Sequence, residues 1–259
     1  MKESSRKKIV LHKKEQTQEQ PVGDGLTRLN KYISNSGVCS RRDADKLIAD
    51  GLVTVNGTVV NELGYKVSPD DEVCFNGEQL NPERKVYLLL NKPRGYVTSV
   101  DDPHAQRTVM QLVENACSER IYPVGRLDMQ TTGLLLFTND GELAKKLTHP
   151  SYEKKKIYHV QLDSDFQEED LLKIRKGLEL EDGFIAADDI QIIDSRDLRQ
   201  VGIEIHSGKN HIVRRIFNHL GYQVEKLDRV LFAGLTKKDL PRGRYRFLTP
   251  QEVNFLKMT

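Results

Sequence analysis

Asp128 stands in YPVGRLDMQTTGLLLF, between a Gly-Arg-Leu stretch and a Thr-Thr-Gly that leads into an apolar run. A loop anchored on rigid elements is where catalytic groups concentrate, and a carboxylate held there is a candidate nucleophile. An aspartate at such a place serves equally well as a cap or turn residue, because its side chain bonds nearby backbone. The other chemically able residues are basic. Arg28 and Lys31 are three apart and are expected on one helical face, while Arg41 and Arg42 fall in the first turn of a second helix. The macrodipole disfavours cations at a helix start, so an anion such as phosphate would compensate them. A solvated charged face would leave the same trace in the sequence. A further basic set, Lys209, Arg214, Arg215, Lys226 and Arg229, faces only Glu225 and Asp228 and makes a second basic patch.

Stepping outward to the elements, Leu29, Tyr32 and Ile33 recur at helical spacing before Gly37. Ser40 with Asp43 three residues on resembles a capping box, and Gly51 closes a second helix through Ala44, Leu47 and Ile48. VTVNGTVV predicts a hairpin, since Asn56-Gly57 suits the positive φ values of a type I′ turn. A further strand is expected near Glu72 to Phe75. These elements predict an ααβ-type module over residues 26–80, followed by a link at Asn81 to Lys85 and a second domain over 85–259.

In that second domain Val86 to Leu90 reads as a central strand, with more strands at Gly133 to Phe137, Ile157 to Leu162 and Val201 to Ile205. Helices are expected at Glu142 to Leu147, Glu168 to Lys176, His211 to Leu220 and from Thr249, where Pro250 and Glu252 complete a capping box. Strands and helices mix without βαβ alternation, which favours α+β over a doubly wound sheet.

Composition sets the limits. The 259 residues suggest about two domains at roughly 150 residues each. With 37% hydrophobic and 30% charged residues, collagen, coiled coil and wholesale disorder are excluded. No run approaches the ~20 apolar residues of a membrane helix, so a soluble cytoplasmic protein is expected. Cys39, Cys74 and Cys117 are too far apart for a zinc site or disulfide framework, and no metal is expected. The net charge of +2 argues against a broadly basic nucleic-acid binder. Locally the balance differs: residues 1–25 are expected to be a disordered basic tail, with Lys2, Arg6, Lys7, Lys8, Lys13 and Lys14 opposed by Glu3 in its first 14 positions. The balancing acids gather at Asp70 to Glu72, Glu168 to Asp170, and Glu179, Glu181 and Asp182, expected on faces turned from a polyanionic partner.

RLNKYISNSGVCSRRDADKLIADGLVTVNG resembles the S4 RNA-binding module. That resemblance implies docking on structured RNA through Arg28, Lys31, Ser40, Arg41, Arg42 and Lys46. Phosphate contacts of this kind position a protein without reading sequence.

GRLDMQTTGLLLFTNDGELAKKLTHP is similar to the catalytic motif of the RsuA-type branch of bacterial pseudouridine synthases, which commonly carry an S4 module in front. NKPRG at 91–95, KIY at 156–158 and SGKNHIVRRIF at 207–217 follow the same order. The resemblance implies a synthase domain built on a mixed, largely antiparallel sheet flanked by helices. It also implies that Asp128 is the essential aspartate, Tyr158 the active-site tyrosine and Arg214 the basic partner of the aspartate. Arg126 would displace the target base, Leu127 would contact substrate, and Lys209 and Arg215 would contact RNA. Ile212 replaces a common Gln and Lys209 a common Arg. The S4 segment is most like F-type large-subunit enzymes; GLLLFTNDGELAKKLTHPS, GLELEDG and LPRGRYRFLT are most like the B-type.

The implied reaction exchanges an N1 to C1′ bond for a C5 to C1′ bond with no redox step, so no cofactor is expected, and neither a GxGxxG nor a GxxxxGK[ST] pattern occurs. The expected partner is ribosomal RNA, foremost that of the large subunit, for a monomer with no membrane contact. Two other readings stay open on the sequence: a small-subunit synthase, and a non-catalytic S4-type assembly factor.

Overall fold

A computed structural model describes residues 25–259; the expected tail lies outside the described residues apart from Gly25. The chain divides into two compact units between Pro82 and Glu83.

The first unit opens with helices α1 (Leu29–Asn35) and α2 (Arg41–Ala49). Ser40 caps α2, its Oγ accepting from the Asp43 amide at 3.2 Å. Strands β1 (Val53–Val55), β2 (Thr58–Val59), β3 (Val73–Phe75) and β4 (Glu78–Gln79) form an antiparallel sheet in the order β2-β1-β3-β4. Asn56 and Gly57 turn the first hairpin with φ of 51° and 78°. Leu29, Ile33, Ala44 and Ile48 bury one face of the helices against Val53, Val55, Val67 and Val73. Arg28 is the residue before α1 rather than part of it, in a two-residue strand paired with Lys66, so the shared helical face with Lys31 is not formed.

The second unit is built on strands β5 (Tyr87–Lys92), β6 (Thr132–Thr138), β7 (Lys156–Leu162), β8 (Asp189–Ile192), β9 (Gln200–Ile205), β10 (Val224–Phe232) and β11 (Tyr245–Phe247). They run in the order β8-β9-β7-β10-β6-β5-β11, antiparallel except for a short parallel pairing of β10 with β6. The expected α+β, mixed and largely antiparallel sheet is therefore present.

Both faces of this sheet are covered. Leu88, Leu90, Leu135, Phe137, Val160 and Ile203 point to one side, under α4 (Glu168–Lys176) and α5 (Ile212–His219), where Ile174, Ile216 and Phe217 pack. Tyr87, Leu89, Leu134 and Leu136 point to the other, under α3 (Gly141–Thr148) and α6 (Pro250–Met258), with Leu143, Leu147 and Leu256. Strand alternation with burial on both faces explains why VYLLL and GLLLF are apolar throughout.

Two sequence expectations change here. Val86 to Leu90 does not form the central strand: β5 starts at Tyr87 and lies one position from the edge, closed off by β11. The middle of the sheet is β10, whose VEKLDRVLF looks in the sequence like part of a basic patch. Its charges hid it, because Asp228 is paired with Arg242 and Lys237, and Arg229 is only 3% exposed. Arg229 is thus a core residue and not an exposed RNA contact.

Gly133 is demanded by the parallel junction. It sits at φ 105°, and a Cβ there would lie 2.3 Å from the backbone oxygen of Arg229. The Thr-Thr-Gly after Asp128 is therefore what lets β6 approach β10 closely enough to pair.

Candidate active site

The loop bearing Asp128 is pinned on three sides. Thr98 Oγ1 donates to the Leu127 carbonyl at 2.7 Å and accepts from the Leu127 amide at 3.2 Å. The Gly95 amide donates to the Met129 carbonyl at 2.8 Å. Lys92, fully buried, sends Nζ to the carbonyls of Asp128 at 3.0 Å and Thr131 at 2.8 Å. The NKPRG segment, flagged in the sequence as a motif without a task, is the scaffold of the GRLD loop. Burial pulls the Lys92 ammonium down to about 8, with Asp128 opposing and Arg242 reinforcing that shift.

Asp128 and Tyr158 line one pocket of about 160 Å³, together with Arg126, Leu127, Lys156, Lys209, His211 and Arg229. Asp128 Oδ2 accepts from Thr131 Oγ1 at 3.3 Å and lies 3.1 Å from His211 Nδ1. Its Oδ1 makes no hydrogen bond to the described residues. Tyr158 projects from β7 opposite Arg229 of β10; it is 8% exposed, and its hydroxyl bonds to none of the described residues. Leu127 is buried in the wall and Arg126 is exposed at the rim.

Behind Tyr158 lie two cations. Lys156 Nζ donates to the carbonyls of His206 at 2.7 Å and Ser207 at 3.1 Å, tying β7 to the segment that leads into α5. Burial lowers it to about 8, Arg229 adding to the shift and Asp188 opposing it. Arg229 Nε donates to the Leu134 carbonyl at 2.8 Å, and its guanidinium lies 4.6 Å over the Phe232 ring, while Nη2 is buried with no hydrogen-bond partner among the described residues.

Arg214 does not hydrogen-bond Asp128. Its Nη1 donates to the Val224 carbonyl at 2.8 Å, and its charge reaches Asp128 through space. Burial lowers the guanidinium, and Asp128 works against that shift. The contact that the aspartate does make, with His211 Nδ1 at 3.1 Å, has no counterpart among the sequence expectations. His211 carried a signal all the same, being a side chain able to bond or titrate at the start of the Arg214 helix.

The basic patch beside the pocket is partly neutralised. Asp182, at the tip of the hairpin formed by Leu178–Leu180 and Gly183–Ile185, lies 2.6 Å from Arg215 Nη2 and 3.6 Å from Lys209 Nζ. Arg215 holds its carboxyl down to about 2. Asp182 was expected on a face turned from RNA, yet it sits on the cations expected to touch RNA. In the first unit, Arg28, Arg41, Arg42 and Lys46 are exposed, while Lys31 and Ser40 are half-buried. Arg41 Nη2 donates to Asn30 Oδ1 at 3.2 Å, and Lys46 pairs with Asp43 at 2.9 Å.

Among the described residues no three His, Cys, Asp or Glu side chains are grouped so as to hold a metal, and no helix is long and apolar enough to cross a membrane.

The model of the RNA pseudouridylate synthase family matches residues 86–219, and that of the S4 domain matches residues 27–73. Ribosomal large subunit pseudouridine synthase B of Bacillus subtilis (strain 168) is 43% identical over 235 residues, covering 90% of this chain and 96% of that protein. An uncharacterized RNA pseudouridine synthase of Aquifex aeolicus (strain VF5) is 40% identical, with 87% and 92% covered. The crystal structure of a pseudouridylate synthase superposes with a TM-score of 0.63 at 32% identity, covering 88% of this chain and 99% of the other. Sequence and architecture agree over nearly the whole described chain, with the pinned Asp128 loop inside the matched region: the chain belongs to the RNA pseudouridylate synthase family and is an RNA pseudouridine synthase with an S4 domain.

Proposed function

We propose that this enzyme isomerises a uridine of large-subunit ribosomal RNA to pseudouridine, with Asp128 as nucleophile. The observation that carries the reading is the shared pocket of Asp128 and Tyr158, with one carboxylate oxygen tethered and the other open. The large-subunit target rests on the 43% identity to the Bacillus subtilis enzyme of that name.

Making a C5 to C1′ bond requires the base to be detached, turned and rejoined, and a carboxylate that bonds covalently to substrate divides this into two feasible steps. A uridine stacked in RNA must first be extruded, at a cost of a few kcal/mol. Arg126, exposed at the rim, would brace the vacated stack. Within the pocket the Tyr158 ring offers a stacking face and its hydroxyl a site for proton transfer as hydrogen leaves C5. Arg214 is half-buried, and its charge and that of Asp128 act on each other through space.

Residues 26–80 would dock RNA and 85–259 carry out the reaction, in a monomeric cytoplasmic protein without a cofactor. Pseudouridine mapping of all rRNA from a deletion strain tests the target. Loss of one large-subunit site, restored by the wild-type gene and not by Asp128→Asn, is expected. Loss on the small-subunit rRNA would overturn the target, and an unchanged map with an assembly defect would favour a non-catalytic role.

A further inference from the structure

We infer that His211 is a positioning residue that selects which oxygen of Asp128 attacks, an inference that rests on Asp128 being the nucleophile. Both contacts of the carboxylate fall on Oδ2, from Thr131 Oγ1 at 3.3 Å and from His211 Nδ1 at 3.1 Å. Oδ1 has no hydrogen-bond partner among the described residues. A carboxylate held by one oxygen cannot spin about its Cβ–Cγ bond, so the free oxygen keeps one direction in the pocket. Orientation of this kind is a large part of what an active site contributes, and a misplacement of 1 Å costs on the order of a hundredfold in rate.

The backbone supports this assignment independently. His211 adopts φ 50° and ψ 25°, the left-handed region, immediately before α5. A residue other than Gly there costs of order 1 kcal/mol and recurs at functional sites, where surrounding structure holds it. His211 occupies the N-cap position of α5, yet its side chain makes no capping bond to the helix. The usual task of a polar N-cap side chain is to satisfy a free helix amide. Here the ring is turned instead to Asp128. Its side chain is 49% exposed, so burial does not hold it there. With a proton on Nδ1, the imidazole donates to Oδ2 whether neutral or charged.

Two substitutions separate the backbone from the ring. Gly and Asn both accept the left-handed conformation readily, so neither adds strain. In His211→Asn the amide nitrogen occupies the position of Nδ1, two bonds from Cβ, and can donate to the same oxygen. His211→Gly offers no donor. On rRNA transcripts in single turnover, His211→Gly is expected to lower the rate at saturating RNA by about 10- to 100-fold with the same RNA affinity. His211→Asn is expected to recover most of that loss. Wild-type rate in His211→Gly, or an Asn variant as slow as the Gly variant, would overturn the inference. Asp128→Asn, assayed alongside, keeps the two levels apart. If it retains activity the nucleophile assignment itself fails; if it is inactive while His211→Gly is unaffected, only the role of His211 fails.

Discussion

The ammonium of Lys92 donates a 3.0 Å hydrogen bond to the backbone carbonyl of Asp128. The proposed nucleophile is thus fixed by its main chain, from a strand 36 positions earlier, and its carboxylate is left out of that bond. A lysine with no exposed surface is rare unless its amine is satisfied, and here the loop carbonyls satisfy it. Lys92→Met keeps the length and removes the donors. We expect the rate on RNA to fall at least about tenfold as the loop relaxes. The melting temperature should drop as well, since the loop carbonyls stay in place and lose their donor. Steady-state kinetics and thermal denaturation of one preparation check both; full activity would show that the loop holds itself.

Asp228 links β10 to the segment after it. Burial would push its carboxyl up, but hydrogen bonds from Arg242, Lys237 and Thr132 bring it down to about 2, from 3.8. The unfolded chain takes up a proton first as the pH falls, so this group stabilises the fold fully above about pH 4 and loses that effect towards pH 2. The shift corresponds to about 2 kcal/mol. Asp228→Asn should lower the melting temperature at pH 7 and flatten its decline between pH 4 and 2. An equally steep decline in the variant would place the acid sensitivity elsewhere.

Asp182 pairs with Arg215 and Lys209, and would compete there with an RNA phosphate. Replacing it by Asn should free both cations, tighten RNA binding at low salt and steepen the dependence of affinity on salt. Filter binding across a salt series reads this directly. Unchanged affinity and slope would mean that neither cation meets a phosphate.

Arg41 and Arg42 open α2 with their side chains exposed. Replacing both by Ala should weaken RNA binding and make the salt slope shallower by roughly 1.5, at about 0.7 to 0.9 per lost phosphate contact. The rate at saturating RNA should stay within about threefold, as these residues position without reacting. An unchanged slope would remove the first unit from the contact set.

What the sequence made legible was whatever local chemistry decides. Ser40 with Asp43, Thr249 with Glu252, and Asn56-Gly57 are signals read within four residues, and each forms as expected. The Asp128 loop was found because its motif is contiguous. Contacts made across the sheet left no local trace. Strand β10 carries four charged residues and looks like surface until Asp228 finds Arg242 and Lys237, and Arg229 finds the Leu134 carbonyl. Lys92 looks like a surface lysine until the carbonyls of a loop far along the chain surround it. His211 lies in a recognised motif, but its left-handed backbone, which turns the ring to Asp128, is set by tertiary structure. The even charge balance of the chain likewise conceals its arrangement, since Asp182 cancels cations beside the pocket while Arg41 and Arg42 stay open to solvent.

Asp128 is proposed to perform the chemistry while the rest of the chain delivers RNA to it. Purified Asp128→Asn should bind ribosomal RNA within about threefold of wild type, because the proposed phosphate contacts lie elsewhere. It should form no pseudouridine over a time in which the wild-type enzyme completes the reaction. Pseudouridine formation by that variant at a rate near wild type would contradict the account.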